Sequence, residues 1–337
     1  MSHAVLLLAH GTPNVLGEMA EYLSKVTGGR ALPDSVVEEL QHRYAQIGLK
    51  NTPEEEPPPL TKWTFAQGYA LEQALGSTRV YVAMRNWSPY IADVVEQMRA
   101  DGVSSIRAIC LAPQNSRTSV GLYRRALMAA ASGIEVEFVA GWADHPLLAQ
   151  AFAEKLQPIW NKVCQETGLR IPVLFTAHSV PCRTIMTGEA SVAGARPGTP
   201  IQDTPDPYPV EAKRTASLVA ELLGLESNDW YFAFQSQGVS GGPWIGPTVE
   251  DTLKTLRQEG KIGVVIQPIG FVCDHVEVLY DIDIAFQELA AEIGLKLWRA
   301  ESLNDSPTLT QALAQIAAGA EQVEDRTATM SVSQALR

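Results

Sequence analysis

Apolar residues in this chain collect into short runs bounded by turn residues, and two sets of four such runs have the length and composition of buried β-strands. The first set is Val5–Ala9, Val80–Met84, Ile106–Leu111 and Val136–Gly141; the second is Val173–Ala177, Trp230–Gln235, Gly263–Gln267 and Lys296–Arg299. The segments between them repeat at helical spacing, as in Val249, Leu253 and Leu256, or Val210, Val219 and Leu223. Strand alternating with helix predicts an α/β protein built from two Rossmann-like units, each with a four-stranded parallel sheet flanked by helices and with a cleft between the two.

An amphipathic stretch from Asp144 to Thr167 separates the sets, with Leu148, Phe152, Leu156, Ile159, Trp160 and Val163 on one face. Its end places the seam, giving expected domains over residues 1–165 and 166–321 and an aperiodic, disordered tail over 322–337. Two stretches interrupt the alternation: Asn51–Pro59 is acidic and proline-rich, and Thr187–Pro209 is rich in Gly, Pro and Thr. Both read as irregular surface loops.

Lys and Arg number 26 against 38 Asp and Glu, so the net charge of −12 argues against nucleic acid or an acidic membrane as partner. The four cysteines, Cys110, Cys164, Cys182 and Cys273, have no metal-ligand spacing and read as reduced cytoplasmic thiols. The apolar start, Ala4–Ala9, is too short for a signal-peptide core, and no stretch reaches the ~20 apolar residues of a membrane span. A cytoplasmic protein without transmembrane segments is expected.

Parallel sheets bind ligands beyond the carboxyl ends of their strands. There the chain carries His10, Arg85-Asn86, Pro113-Gln114-Asn115, His178-Ser179, Gln235-Ser236 and Cys273-Asp274. His10-Gly11-Thr12-Pro13 is no glycine-rich phosphate loop, which argues against a nucleotide site. An imidazole at the position of His178 can take a proton or bind a metal, although position alone equally fits a histidine that only bonds its own loop. After Gly263–Gln267, Asp274, Glu277 and Asp281 stand at i, i+3 and i+7, which predicts three carboxylates on one helical face beside a core stripe of Val278, Ile282, Ala285, Phe286, Leu289 and Ile293. Such hard oxygen donors suit a ferrous or magnesium ion. An acidic first turn that complements the helix dipole would explain Asp274 as well, but not Asp281.

The segments His178-Ser179-Val180-Pro181 and Gly270-Phe271-Val272-Cys273-Asp274-His275-Val276-Glu277-Val278-Leu279-Tyr280-Asp281-Ile282-Asp283 resemble the signature of the ferrochelatase family. Gly11-Thr12-Pro13, Met84–Tyr90, Pro113-Gln114 through Tyr123, Asp206-Pro207-Tyr208-Pro209 and Gln235-Ser236-Gln237-Gly238 through Pro247 extend the likeness over nearly the whole chain. The resemblance implies an enzyme of haem biosynthesis that inserts Fe2+ into a porphyrin, with His178 and Glu277 as catalytic pair. It places His178, Glu277, Asp281 and His10 along the path of the metal, His10 standing where soluble bacterial relatives commonly have a tyrosine. No cofactor is implied; porphyrin and ferrous iron are the substrates, and transient contact with neighbouring enzymes of the pathway is expected.

Porphyrin propionates need cationic or hydroxyl partners at the rim of an apolar cleft. The candidates are His10, Arg30, Lys62, Arg85, Ser116, Arg117, Thr118 and Tyr123, with Trp244 able to pack on the ring. Some features depart from the family pattern. Ala285 stands where some relatives continue the row of carboxylates, Pro57-Pro58-Pro59-Leu60 replaces a glycine-rich lip, and the loop over Arg183–Pro205 is long. No cysteine follows Cys273, which implies no iron–sulfur cluster, and the polar segment Arg30–Lys62 points to the compact soluble type that uses coproporphyrin III rather than protoporphyrin IX. Chelation of cobalt or nickel by another tetrapyrrole, and a non-catalytic haem or porphyrin carrier, are the competing functions.

Overall fold

The structure, a computed structural model, describes residues 2–186, 205–238 and 242–319. The expected tail over 322–337 and most of the expected loop over 183–205 lie outside those residues. Two four-stranded, wholly parallel sheets form, in the orders β2-β1-β3-β4 and β6-β5-β7-β8. The strands are β1 (Ser2–Ala9), β2 (Arg79–Met84), β3 (Val103–Cys110), β4 (Glu135–Val139), β5 (Val173–His178), β6 (Trp230–Gln235), β7 (Gly263–Pro268) and β8 (Lys296–Arg299). Each lies within a few residues of its apolar run. The central strands are apolar on both faces, as Val5–Leu8 and Val173–Phe175 show by their complete burial, because helices cover both sides of each sheet.

Helices α1 (Met19–Val26), α2 (Asp34–Gln46) and α3 (Pro59–Leu75) lie between β1 and β2; α4 (Ile91–Ala100) and α5 (Val120–Ala130) make the next two crossovers. Helix α6 (Pro146–Thr167) leads to the second sheet, where α7 (Cys182–Met186) and α8 (Tyr208–Leu222) precede β6 and α9 (Val249–Gln258) follows it. Between β7 and β8 come α10 (Val276–Leu279), a π-helical turn (Asp281–Phe286) and α11 (Gln287–Glu292); α12 (Pro307–Ala317) ends the described chain.

One buried cluster joins Val5, Leu7 and Ile109 of the first sheet to Phe175 and Val265 of the second through Leu148, Phe152 and Leu156 of α6. Separate clusters fill the outer faces, under α4 and α5 in one half and under α9 and the Val278–Ala290 stretch in the other. Burying each large side chain contributes about 1.5–3 kcal/mol. The two sheets therefore pack around a shared core, while their carboxyl ends remain free to build a site. Among the described residues no helix is long and apolar enough to cross a membrane.

The lip segment differs from its polar appearance. Within 30–62, α2 turns Val36, Leu40 and Tyr44 toward the cleft together with Leu32, Ile47 and Leu49, and its Glu39 and Arg43 line the cleft beside them. Average composition hid an amphipathic helix.

Candidate active site

Both sheets share one connectivity, so each has a switch point at the carboxyl ends of its two central strands, between β1 and β3 and between β5 and β7. His10 follows β1 and His178 ends β5; the loop Pro113–Thr118 follows β3 and Gly270–Glu277 follows β7. The two switch points open into a single cleft of about 1070 Å³, a volume sufficient for a macrocycle.

Glu277 reaches His178 because β7 continues into Gly270, where a Cβ would stand 3.0 Å from the Cα and Cβ of Ala177. The Glu277 carboxylate Oε1 lies 2.8 Å from His178 Nε2. His178 Nδ1 donates to the backbone carbonyl of Ser179. Both ring nitrogens thus face acceptors, an arrangement that needs a proton on each and so an imidazolium beside a carboxylate. Burial opposes that charge, but the charge and hydrogen bond of Glu277 and the Ser179 carbonyl outweigh it and raise the His178 pKa above its ordinary value. For Glu277 burial pushes upward and is overcome by His178, His275 and His10, so its pKa lies below the usual carboxylate range.

The backbone around the pair is held as well. His275 caps α10, its Nδ1 accepting the Glu277 N–H at 3.2 Å, and burial lowers its pKa, keeping the ring neutral. Gln235 Nε2 donates to the Glu277 carbonyl at 2.6 Å, and the Tyr208 hydroxyl to the His178 carbonyl at 2.8 Å.

Asp274, Glu277 and Asp281 all line the cleft, but not as a row on one helical face. Asp274 precedes α10, and its carboxylate accepts Ser302 Oγ at 2.7 Å, Asn304 Nδ2 at 2.9 Å and Arg299 Nη1 at 3.3 Å, which ties the loop after β7 to the segment after β8. The helix also does not run as a regular α-helix to Ala285, because the Ala285 N–H bonds the Tyr280 carbonyl five residues back at 2.9 Å. Asp281 still reaches the cleft, where Ser236 Oγ donates to it and Arg43 Nη1 stands 3.9 Å away. Burial, with repulsion from Glu277, raises its pKa to about 6 despite Ser236 and Arg43. Among the described residues no three or more His, Cys, Asp or Glu side chains are grouped to hold a metal, so His178, Glu277, Asp281 and His10 do not make a closed ligand set.

His10 lines the same cleft from the first half, with the Asn86 amide nitrogen 3.0 Å from Nε2 and the Tyr22 ring edge-on at 6.2 Å between centroids. Burial, then Arg85, lowers its pKa to about 3, leaving a neutral imidazole able to ligate iron. The Arg85 guanidinium lies 5.9 Å from the centre of the Tyr123 ring, its Nε is buried without a hydrogen-bond acceptor, and burial lowers its pKa. Such a cation gains from an incoming anion. Ser116, Thr118 and Tyr123 line the cleft too, the Ser116 and Thr118 hydroxyls 2.8 Å apart.

Arg30, Lys62 and Trp244 also face the cleft, with Lys62 Nζ already paired to Glu56 at 2.8 Å. Trp244 stands with its ring centroid 6.4 Å from that of His178. Arg117 does not line the cleft, contrary to expectation; its backbone N–H is turned to the Asp206 carboxylate at 2.9 Å, and its neighbours Ser116 and Thr118 take the rim. His275 and Arg43 escaped the sequence reading. The first was visible only as part of Asp274-His275, the second lay in a segment read by its average polarity.

The family model described as Ferrochelatase matches residues 2–321. The chain belongs to the ferrochelatase family. It is therefore an enzyme, a lyase of the kind that inserts a metal into a porphyrin. A ferrochelatase of Acidobacterium capsulatum is 56% identical over 317 residues, covering 93% of each chain. A coproporphyrin III ferrochelatase of Geobacillus thermodenitrificans is 32% identical over 322 residues, covering 93% of this chain and 94% of that protein. Among solved structures, SirB from Bacillus subtilis with Fe3+ superposes with a TM-score of 0.53 at 12% identity, over 95% of this chain and 97% of that one. That likeness concerns the fold alone, and it agrees with the two-sheet ferrochelatase architecture.

Proposed function

We propose that this ferrochelatase inserts ferrous iron into coproporphyrin III, with His178 and Glu277 acting as one proton-accepting pair. The observation that carries the reading is the 2.8 Å contact between His178 Nε2 and Glu277 Oε1 in the cleft. Metalation removes two pyrrole protons as a dication enters the ring, so acceptors must stand close to the ring face. Glu277 is the first acceptor, because His178 rests protonated. An approaching dication disfavours the imidazolium, which releases its proton to solvent in the open cleft, so that neutral His178 can take the second pyrrole proton. Neutral His10, from the opposite half, is the proposed axial ligand for the iron, and Asp281 delivers the ion toward Glu277.

Coproporphyrin III carries four propionates where protoporphyrin IX carries two. Arg85, Arg30, Lys62, Ser116, Thr118 and Tyr123 offer cations and hydroxyls around the cleft, which supports the more anionic ring, and Trp244 offers a face to pack on it. The relatives named for coproporphyrin III support the same choice. The test is anaerobic absorbance with ferrous iron and either porphyrin. Faster conversion of coproporphyrin III to its iron complex is expected, and preference for protoporphyrin IX would overturn the substrate assignment.

A further inference from the structure

The rim of the cleft belongs to the first sheet, but the second sheet holds it in place. The Asn115 N–H donates to Glu211 Oε2 at 2.6 Å and the Arg117 N–H to Asp206 Oδ2 at 2.9 Å. Asp206 accepts with both oxygens, since Oδ1 takes the Tyr208 N–H at 3.0 Å. Tyr208, between the two carboxylates in sequence, passes its hydroxyl to the carbonyl of His178. One short segment at the start of α8 thus touches both the loop that bears Ser116 and Thr118 and the residue that bears the base. Asp206 is buried at 3% exposure and Tyr208 at 7%, so water cannot easily replace these bonds. Gly141 leaves the room required: a Cβ there would lie 3.2 Å from Glu211 Oε2 and 3.1 Å from the Asn115 Cβ.

We infer that Asp206, Tyr208 and Glu211 are positioning residues that set the porphyrin rim loop, Asn115–Thr118, in register with His178. The inference rests on the reading that the porphyrin lies in this cleft. Asp206 and Glu211 act on the substrate side of the bridge and Tyr208 on the base side. The three are therefore separable by kinetics, which a general loss of stability would not allow.

The Asp206→Asn side chain can accept only one of the two N–H groups and turns an amide toward the other. Glu211→Gln keeps the single acceptor that Asn115 needs, whereas Glu211→Ala removes it. In Asp206→Asn and Glu211→Ala the KM for porphyrin, and the porphyrin Kd from fluorescence quenching, should rise on the order of tenfold, about the value of one charge-assisted hydrogen bond, with kcat within about twofold. Glu211→Gln should restore most of the loss. Tyr208→Phe should lower kcat roughly five- to tenfold and leave KM in place, since it shifts the base and not the rim. Unchanged KM and Kd in folded Asp206→Asn and Glu211→Ala would overturn the inference, as would an equal loss in Glu211→Gln and Glu211→Ala. If Asp206→Asn does not fold, the Glu211 pair decides. If the wild type binds porphyrin without metalating it, the functional reading fails, and the Kd values still test the bridge.

Discussion

Replacing Glu277 by Gln keeps the shape of the site and removes its charge. The side chains of Glu277 and His178 are 33% and 31% exposed, so solvent screens their attraction. A buried charge-assisted hydrogen bond would be worth about 1.5–3 kcal/mol, and partial exposure brings the stability loss nearer 1 kcal/mol. That corresponds to a fall in Tm of about 2–4 °C or less. Loss of a positioned proton acceptor costs a factor of ~10²–10⁴ in rate. The catalytic effect should therefore far exceed the structural one. Proton NMR adds an independent readout: with the Glu277 charge gone, the His178 titration should drop from its raised position. Stability follows the same signs. The His178 contribution is complete below its unfolded pKa and fades as pH rises through the raised folded value. The Glu277 contribution is present above the unfolded value of 4.5 and fades only as pH falls through the lowered one. A Glu277→Gln variant that turns over within about threefold of wild type, or whose His178 titrates unchanged, would refute the assignment of the pair.

Further outcomes follow from other groups in and around the cleft. Asp281, raised to about 6, is protonated below that pH and cannot then offer an anionic oxygen; turnover at limiting iron should fall as pH drops through 6, and Asp281→Asn should flatten that limb. Glu211 is raised to about 7, first by burial and then by the charges of Asp144 and Asp206, so its stability cost is absent below the unfolded value of 4.5, grows as pH rises from there toward 7 and is complete above it. Calorimetry should find Glu211→Gln equal to wild type near pH 4.5 and more stable at pH 8, by a few degrees in Tm. Gly270→Ala forces a Cβ to 3.0 Å from Ala177; overpacking should cost about 1–3 kcal/mol in a denaturant melt and reduce turnover by shifting His178 against Glu277.

The strands were legible because parallel strands covered on both faces need unbroken apolar runs, and Val5–Leu8 or Val173–Phe175 cannot be read otherwise. Their boundaries shifted where polar residues join a ladder, as at Ser105 opposite His3 and Glu135. The His178 and Glu277 contact was reachable only through family resemblance, because its two members are 99 residues apart and meet across β5 and β7. The three carboxylates line the cleft but miss a common helical face for a local reason. Helical spacing was counted from Asp274, yet α10 starts at Val276, and the π turn after Tyr280 changes the winding that the count assumed. Arg117 is not among the residues lining the cleft, and its amide is bound by Asp206 from the other half. Such long-range polar contacts leave no periodic trace in sequence.

The most direct test of the account is a single-turnover measurement under anaerobic conditions, with ferrous iron and coproporphyrin III, on wild type, His178→Ala and Glu277→Gln, each checked for porphyrin binding by fluorescence quenching. The account predicts rapid appearance of the iron porphyrin spectrum in the wild type and loss of metalation in both variants while the porphyrin still binds. Metalation at the wild-type rate in either variant would contradict it.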